Sequence, residues 1–193
     1  MPTLSLGSYR KTMTTTIAIA LVLAFSFSSL RLDAWDALLP FFEWLETTIF
    51  GVIGKTWGAA FAVVEAIHLL AMALLGGAVI ASDGRLLGVI LSDYPARVIL
   101  DQSHKVFVVG LSILLLTGVF MACGVAMKVY YLPVFWYKML VLFGGIIFVF
   151  FIKRPLLKND FDQINPTVVK MVAVSSLLVW FTVAAAGRWI GFA

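Results

Sequence analysis

The sequence predicts an all-α protein: a polytopic membrane helical bundle of five transmembrane helices plus one interfacial amphipathic helix, in a single membrane domain over residues 1–193. Three observations predict it. Hydrophobic residues make up 62% of the chain and charged residues 12%. A soluble domain carries about 25% charged residues, so this chain has too little polar surface to face water. The apolar residues fall in runs close to the ~20 needed to cross a bilayer. The basic residues gather at the ends of those runs, where loops and headgroups hold them.

The elements follow in chain order. Arg10 and Lys11 precede IAIALVLAFSFSSL, a layout that resembles a secretory signal. No small-x-small cleavage site follows cleanly, so the segment is expected to stay as the first span, about residues 14–30. Next comes DAWDALLPFFEWLETTIF. It mixes acids with Trp35, Phe41, Phe42, Trp44 and Phe50, which makes it too polar to cross but suited to the headgroup boundary. It is expected to be an interfacial helix over about 35–50, with Pro40 at its start or at a kink. The second span covers about 57–81. The third, about 98–127, is polar for a turn or two and wholly apolar from Val106 to Met127. The fourth, about 133–152, opens on Pro133, whose missing N–H has no partner to lose in a first turn. Lys153-Arg154-Pro155 is expected to stop it. The fifth runs over about 167–187.

Five spans put the termini on opposite sides. The N-terminal side then collects Arg10, Lys11, Arg85, Arg97, Lys105, Lys153, Arg154, Lys158 and Lys170, and the other side Arg31, Lys55, Lys128, Lys138 and Arg188. Nine basic residues against five predict a cytoplasmic N-terminus and a C-terminus on the outer, periplasm-like face. The net charge of +4 reads as topology and lipid contact, not nucleic-acid binding. The single cysteine, Cys123, excludes an intrachain disulfide and any cysteine-based zinc or iron–sulfur site. There is no P-loop, GxSxG, HExxH or c-type haem motif, so a stand-alone enzyme is not expected. Small residues recur every fourth position at Ala73, Gly77 and Ala81, at Gly118, Ala122 and Ala126, and at Gly187 and Gly191. Such stripes let helices approach closely in lipid.

Chemistry centres on the two histidines. His68 lies in the second span three residues after Glu65, so the two share a helix face, which Phe61, Met72, Leu75 and Val79 extend. Ionisable groups in hydrocarbon are costly and need partners. His104 opens the antiparallel third span. One imidazole from each of two helices is the minimum for holding a haem iron from both sides. The expected reading is therefore one non-covalent haem b between His68 and His104, in electron transfer or in a membrane redox complex. Glu65 would accept a hydrogen bond from the other nitrogen of His68 or from a neighbouring group. Arg85, Arg97 and Lys105 would neutralise propionates.

Three other readings stand beside it. The bland one has His68 hydrogen-bonded to Glu65 or a carbonyl, in a cofactor-free accessory subunit of a larger membrane complex or a homo-oligomer. A small metal or proton-coupled carrier is the third. Copper at His68 and Met72, with Met121, Met127, Met139, Met171 and Cys123 available, suits the ligand chemistry but lacks a clustered methionine run. Lys138 either snorkels to the headgroups or serves as counter-charge to Glu65 or a propionate. Asp101 and Lys105, four apart, are expected to pair.

The Glu65-x-x-His68 pair with its following glycine run, Asp83-x-Arg85-Leu-Leu-Gly, Thr117-Gly118 and Lys138 together resemble an uncharacterised bacterial family of small polytopic inner-membrane proteins. The resemblance covers roughly residues 42 to 155 and implies a membrane bundle without an assigned activity. The four-helix layout with inward histidines is also similar to cytochrome b bundles and copper-resistance-type membrane domains, in architecture only. Two histidines rule out a two-haem cytochrome of the b561 kind.

Overall fold

The computed structural model describes residues 30–158 and 164–192. The expected first span lies outside these residues except at Leu30. The chain divides into two compact units, Met1–Phe41 and Phe42–Ala193, and the second carries the bundle.

Helix α1 covers Leu30–Thr47 and α2 covers Ile49–Thr56. The chain bends by 66° between them. The bend falls at Thr48, whose hydroxyl accepts from Gly51 N–H at 3.2 Å and so caps α2. The expected single interfacial helix over 35–50 is thus a broken pair. Pro40 lies inside α1 and does not start it. Glu46 fastens the pair to the bundle: it is ion-paired with Lys55 and accepts from Met127 N–H at 3.0 Å. Phe42 packs at 5.3 Å from Tyr130 and 5.5 Å from Trp136.

Four helices are long and apolar enough to cross a membrane among the described residues, or up to five if the bent pair counts as one span. Helix α3 covers Gly58–Leu87, six residues beyond the expected end. Ser82 and Asp83 look like a polar terminus, but both are buried. The helix stops only at Gly88, where φ of 75° reaches the left-handed region that glycine adopts without penalty. Helix α4 covers Ala96–Gly124, and after a break at Val125 α5 covers Ala126–Tyr130. Helix α6 covers Pro133–Ile147 and passes into a π-helical turn, Phe148–Lys153, and then into α7, Arg154–Lys158. Lys153-Arg154-Pro155 therefore does not stop the fourth span. Pro155 falls in the first turn of α7, where a missing N–H is tolerated, and Lys153 is buried rather than solvated. Helix α8 covers Pro166–Ile190, and Asn165 Oδ1 caps it by accepting from Thr167 N–H at 2.9 Å.

Helix α3 packs on α4 and on α8, α8 packs on α6, and α2 packs on α4. An apolar layer of Leu75, Val79, Phe107, Leu111, Val149 and Trp180 fills the middle, with the Phe107 and Trp180 rings 5.0 Å apart. Leu86, Leu100, Leu157, Val169 and Ala173 form a second cluster, towards the α3–α4 loop. Outward faces carry large apolar side chains such as Leu70, Leu116, Phe151 and Phe181, which fit a lipid surround and not water. The stripe Ala73–Gly77–Ala81 does not line the bundle as expected, because Ala73 and Gly77 are exposed. The buried stripe of α3 is Ala71, Leu75, Ala78 and Ser82. The helical repeat of ~3.6 residues offers both stripes, and bulky Leu75 selects the face.

Candidate functional site

Two polar clusters lie within the spans, at opposite ends of the bundle. The first centres on His68. Its Nδ1 lies 2.7 Å from Thr117 Oγ1 of α4. That hydroxyl also lies 2.6 Å from the carbonyl oxygen of Ile113. Two oxygens at this separation need a hydrogen between them, and a threonine hydroxyl has only one. Thr117 therefore donates to Ile113 and accepts from His68. Nδ1 carries the proton, and Nε2 of the neutral ring is left with a free lone pair. Gly118 flanks the same ring, since a Cβ built there would sit 3.4 Å from His68 Cε1. Thr117→Val is expected to strand the Nδ1–H and to lower stability by about 1–3 kcal/mol. The check is the unfolding midpoint in detergent against wild type.

Glu65 does not accept from His68 as expected. It is exposed, and Thr117 takes that part. Lys138 of α6 does not pair with Glu65. Its side chain is half-buried, and its Nζ would lie 3.4 Å from a Cβ at Gly187 of α8. No carboxylate pairs with Lys138 among the described residues.

His104 is elsewhere. It precedes Thr117 by thirteen residues on α4, so it sits about 20 Å further along the helix. Its ring packs on Phe150 at 5.7 Å. The hairpin register explains the gap: His68 lies about three turns into α3, in the half far from the α3–α4 loop, whereas His104 enters with the first turns of α4 after that loop. Two imidazoles must both touch one iron to share it, so a haem clamped between His68 and His104 does not fit this placement. Arg85, Arg97 and Lys105 lie at the His104 end as well. Arg85 donates to the Tyr94 carbonyl at 2.9 Å and Arg97 to the Lys158 carbonyl at 3.3 Å. Among the described residues no three His, Cys, Asp or Glu side chains gather as ligands for one metal ion.

The second cluster is a buried ion pair. Lys153 Nζ lies 2.5 Å from Asp83 Oδ1 and 3.1 Å from each of the Ser82 and Ser176 hydroxyl oxygens. The two serine contacts use two of the three ammonium hydrogens, and the carboxylate supplies the opposite charge. Asp83 and Ser176 are 0% exposed. The neighbouring Arg154 pairs across to Asp101 of α4 at 2.8 Å, displacing the expected Asp101–Lys105 pair. Successive helical residues point ~100° apart, so Lys153 meets α3 and α8 while Arg154 meets α4.

The profile of a family described as "Family of unknown function (DUF6644)" matches residues 41–193. The chain belongs to the DUF6644 family. No curated protein and no solved structure matches it. In this DUF6644 member, the separate sequence features of the resemblance fall into the two clusters. His68 and Thr117-Gly118 meet at one end, Lys138 lies against Gly187 of α8, and Asp83 lies at the other end. The role of Lys153 is the residue that sequence reasoning missed. Its one signal was a cation placed where a polar Ser82-Asp83 step also interrupts an apolar run.

Proposed function

We propose that this membrane protein binds one haem b through Nε2 of His68 and serves in electron transfer, alone or as a subunit of a membrane redox complex. The carrying observation is the proton inventory at Thr117. A histidine that ligates a metal through one nitrogen commonly donates the other N–H to a fixed acceptor, which sets tautomer and ring orientation. His68 has that arrangement inside a span. Gly118 presents no side chain to the ring, where a Cβ would sit 3.4 Å from His68 Cε1. Lys138, a half-buried cation without a carboxylate, suits a propionate. The haem would supply a one-electron couple. The protein residues orient the ligand nitrogen, exclude water and hold counter-charge. His104 has no part as a second axial ligand.

The test is a dithionite-reduced minus air-oxidised visible spectrum of the detergent-purified protein, expressed with haem supplied. A b-type α-band is expected in wild type and in His104→Ala, and its loss in His68→Ala. A featureless wild-type spectrum from folded protein would reject haem binding. A band lost equally in both variants would reject the assignment of His68 as the sole histidine ligand.

A further inference from the structure

A cavity of about 40 Å³ lies between α3, α4 and the π-helical turn. We propose that it is a one-sided water port, through which water and exchangeable protons reach the buried Lys153–Asp83 pair from the membrane face near the α3–α4 loop. The proposal is independent of haem binding at His68.

Size and lining both favour water. A single water needs ~10–15 Å³ by this measure and two to four polar partners. Ser82, Ser103, His104 and Arg154 all line the cavity. The ring nitrogens of His104 and the hydroxyl of Ser103 have no hydrogen bond within the protein among the described residues, so they are free to bind it. Lys153 lines the same space with its ammonium between Asp83, Ser82 and Ser176. Water meets the pair at Ser82 or at the Lys153 ammonium, which both line the cavity. The carboxylate behind it is fully buried, and neither of its oxygens accepts a hydrogen bond of good geometry. Buried groups in that state are commonly completed by ordered water.

The port opens one way. Its outer rim holds Arg154, 28% exposed, paired with Asp101, 47% exposed. Its inner wall is Val79, Phe107 and Val149. Those residues belong to the apolar layer that continues through Leu75, Leu111 and Trp180. Apart from the buried Trp180 indole N–H, that cluster and the side chains packed on it, such as Leu114, Leu142, Ile146 and Leu177, are apolar, so a hydrated path ends there, short of His68.

Substituted-cysteine accessibility tests this in the full-length protein. The background is Cys123→Ser, because Cys123 is the sole thiol. Ser103→Cys and Ala78→Cys place a thiol on the cavity wall, and Leu111→Cys places one in the apolar layer. Sealed membrane vesicles of both orientations are exposed to silver ion, which is water-sized and binds thiolate. The protein is then denatured, and the remaining thiols are counted with a maleimide. Loss of maleimide labelling at Ser103→Cys and Ala78→Cys from one vesicle orientation only, with Leu111→Cys fully labelled, is the expected result. Full labelling at both wall positions would show a dry cavity and overturn the proposal. Loss at Leu111→Cys, or loss from both orientations, would show that the apolar layer does not close the port and would overturn it too.

Discussion

Lys153→Met is expected to lower the stability of the bundle by about 3–5 kcal/mol, the usual cost of removing one partner of a buried ion pair. Asp83 would stay behind with 0% exposure. The Ser82 and Ser176 oxygens would lose their shared donor. The unfolding midpoint in detergent, followed by tryptophan fluorescence, should fall sharply. Removing both charges is a different experiment. In Asp83→Leu with Lys153→Met no ion is left to desolvate, and paired apolar replacements of buried ion pairs are often neutral or stabilising. The double variant should therefore recover most of the loss. A single variant as stable as wild type would mean that the carboxylate is solvated or protonated without Lys153, and the pair would then not be what joins α3, α8 and the π-helical turn.

This pair also marks the boundary of what the sequence discloses. The four long helices are legible because each is an apolar run of about the right length, and Pro133 and Pro166 stand at the first turns of α6 and α8. Their inner ends are not. Ser82-Asp83 and Lys153-Arg154-Pro155 both read as polar stops, since sequence shows a charge but not its partner 70 residues away. Once Asp83 and Lys153 neutralise each other, neither has reason to end a helix. The same blindness led Asp101 to be matched with Lys105, four residues on, and not with Arg154 across the bundle. Local spacing is visible in a sequence; inter-helix register is not. Register also separates the histidines. Glu65, His68 and Lys138 stand out by polarity alone, and the structure sets His68 against Thr117 of α4 and Lys138 against Gly187 of α8. Thr117, a hydroxyl common in membrane helices for its own i−4 bond, gains its meaning only from the imidazole opposite. The π-helical turn has no signature in FVFFIK that composition could reveal.

Gly54→Val is the second large effect, and it concerns the end of the bundle that holds His68. Helices α2 and α4 meet there backbone to backbone. A Cβ added at Gly54 would come within 2.8 Å of the Gly124 Cα. A Cβ at Gly124 would come within 3.2 Å of the Gly54 Cα and 3.3 Å of the Phe61 ring. Side chains can turn away from a clash, but a Cα in a helix can only move with its helix. Valine at 54 is therefore expected to cost at least ~1–3 kcal/mol and to push α2 off α4. That shift strains the Glu46 bond to Met127 N–H, which sits just past the break that ends α4. Cys123, 3% exposed and next to Gly124, reports the opening. Its thiol should resist maleimide in the wild type and react in Gly54→Val. Gly58→Ala serves as the matched control, because a Cβ there meets nothing within 4 Å, and it should leave both midpoint and thiol reactivity unchanged. If Gly54→Val kept Cys123 protected at an unchanged midpoint, the contact between α2 and α4 would have to be looser than backbone on backbone. The bent segment would then be free to leave the bundle without exposing the end of α4.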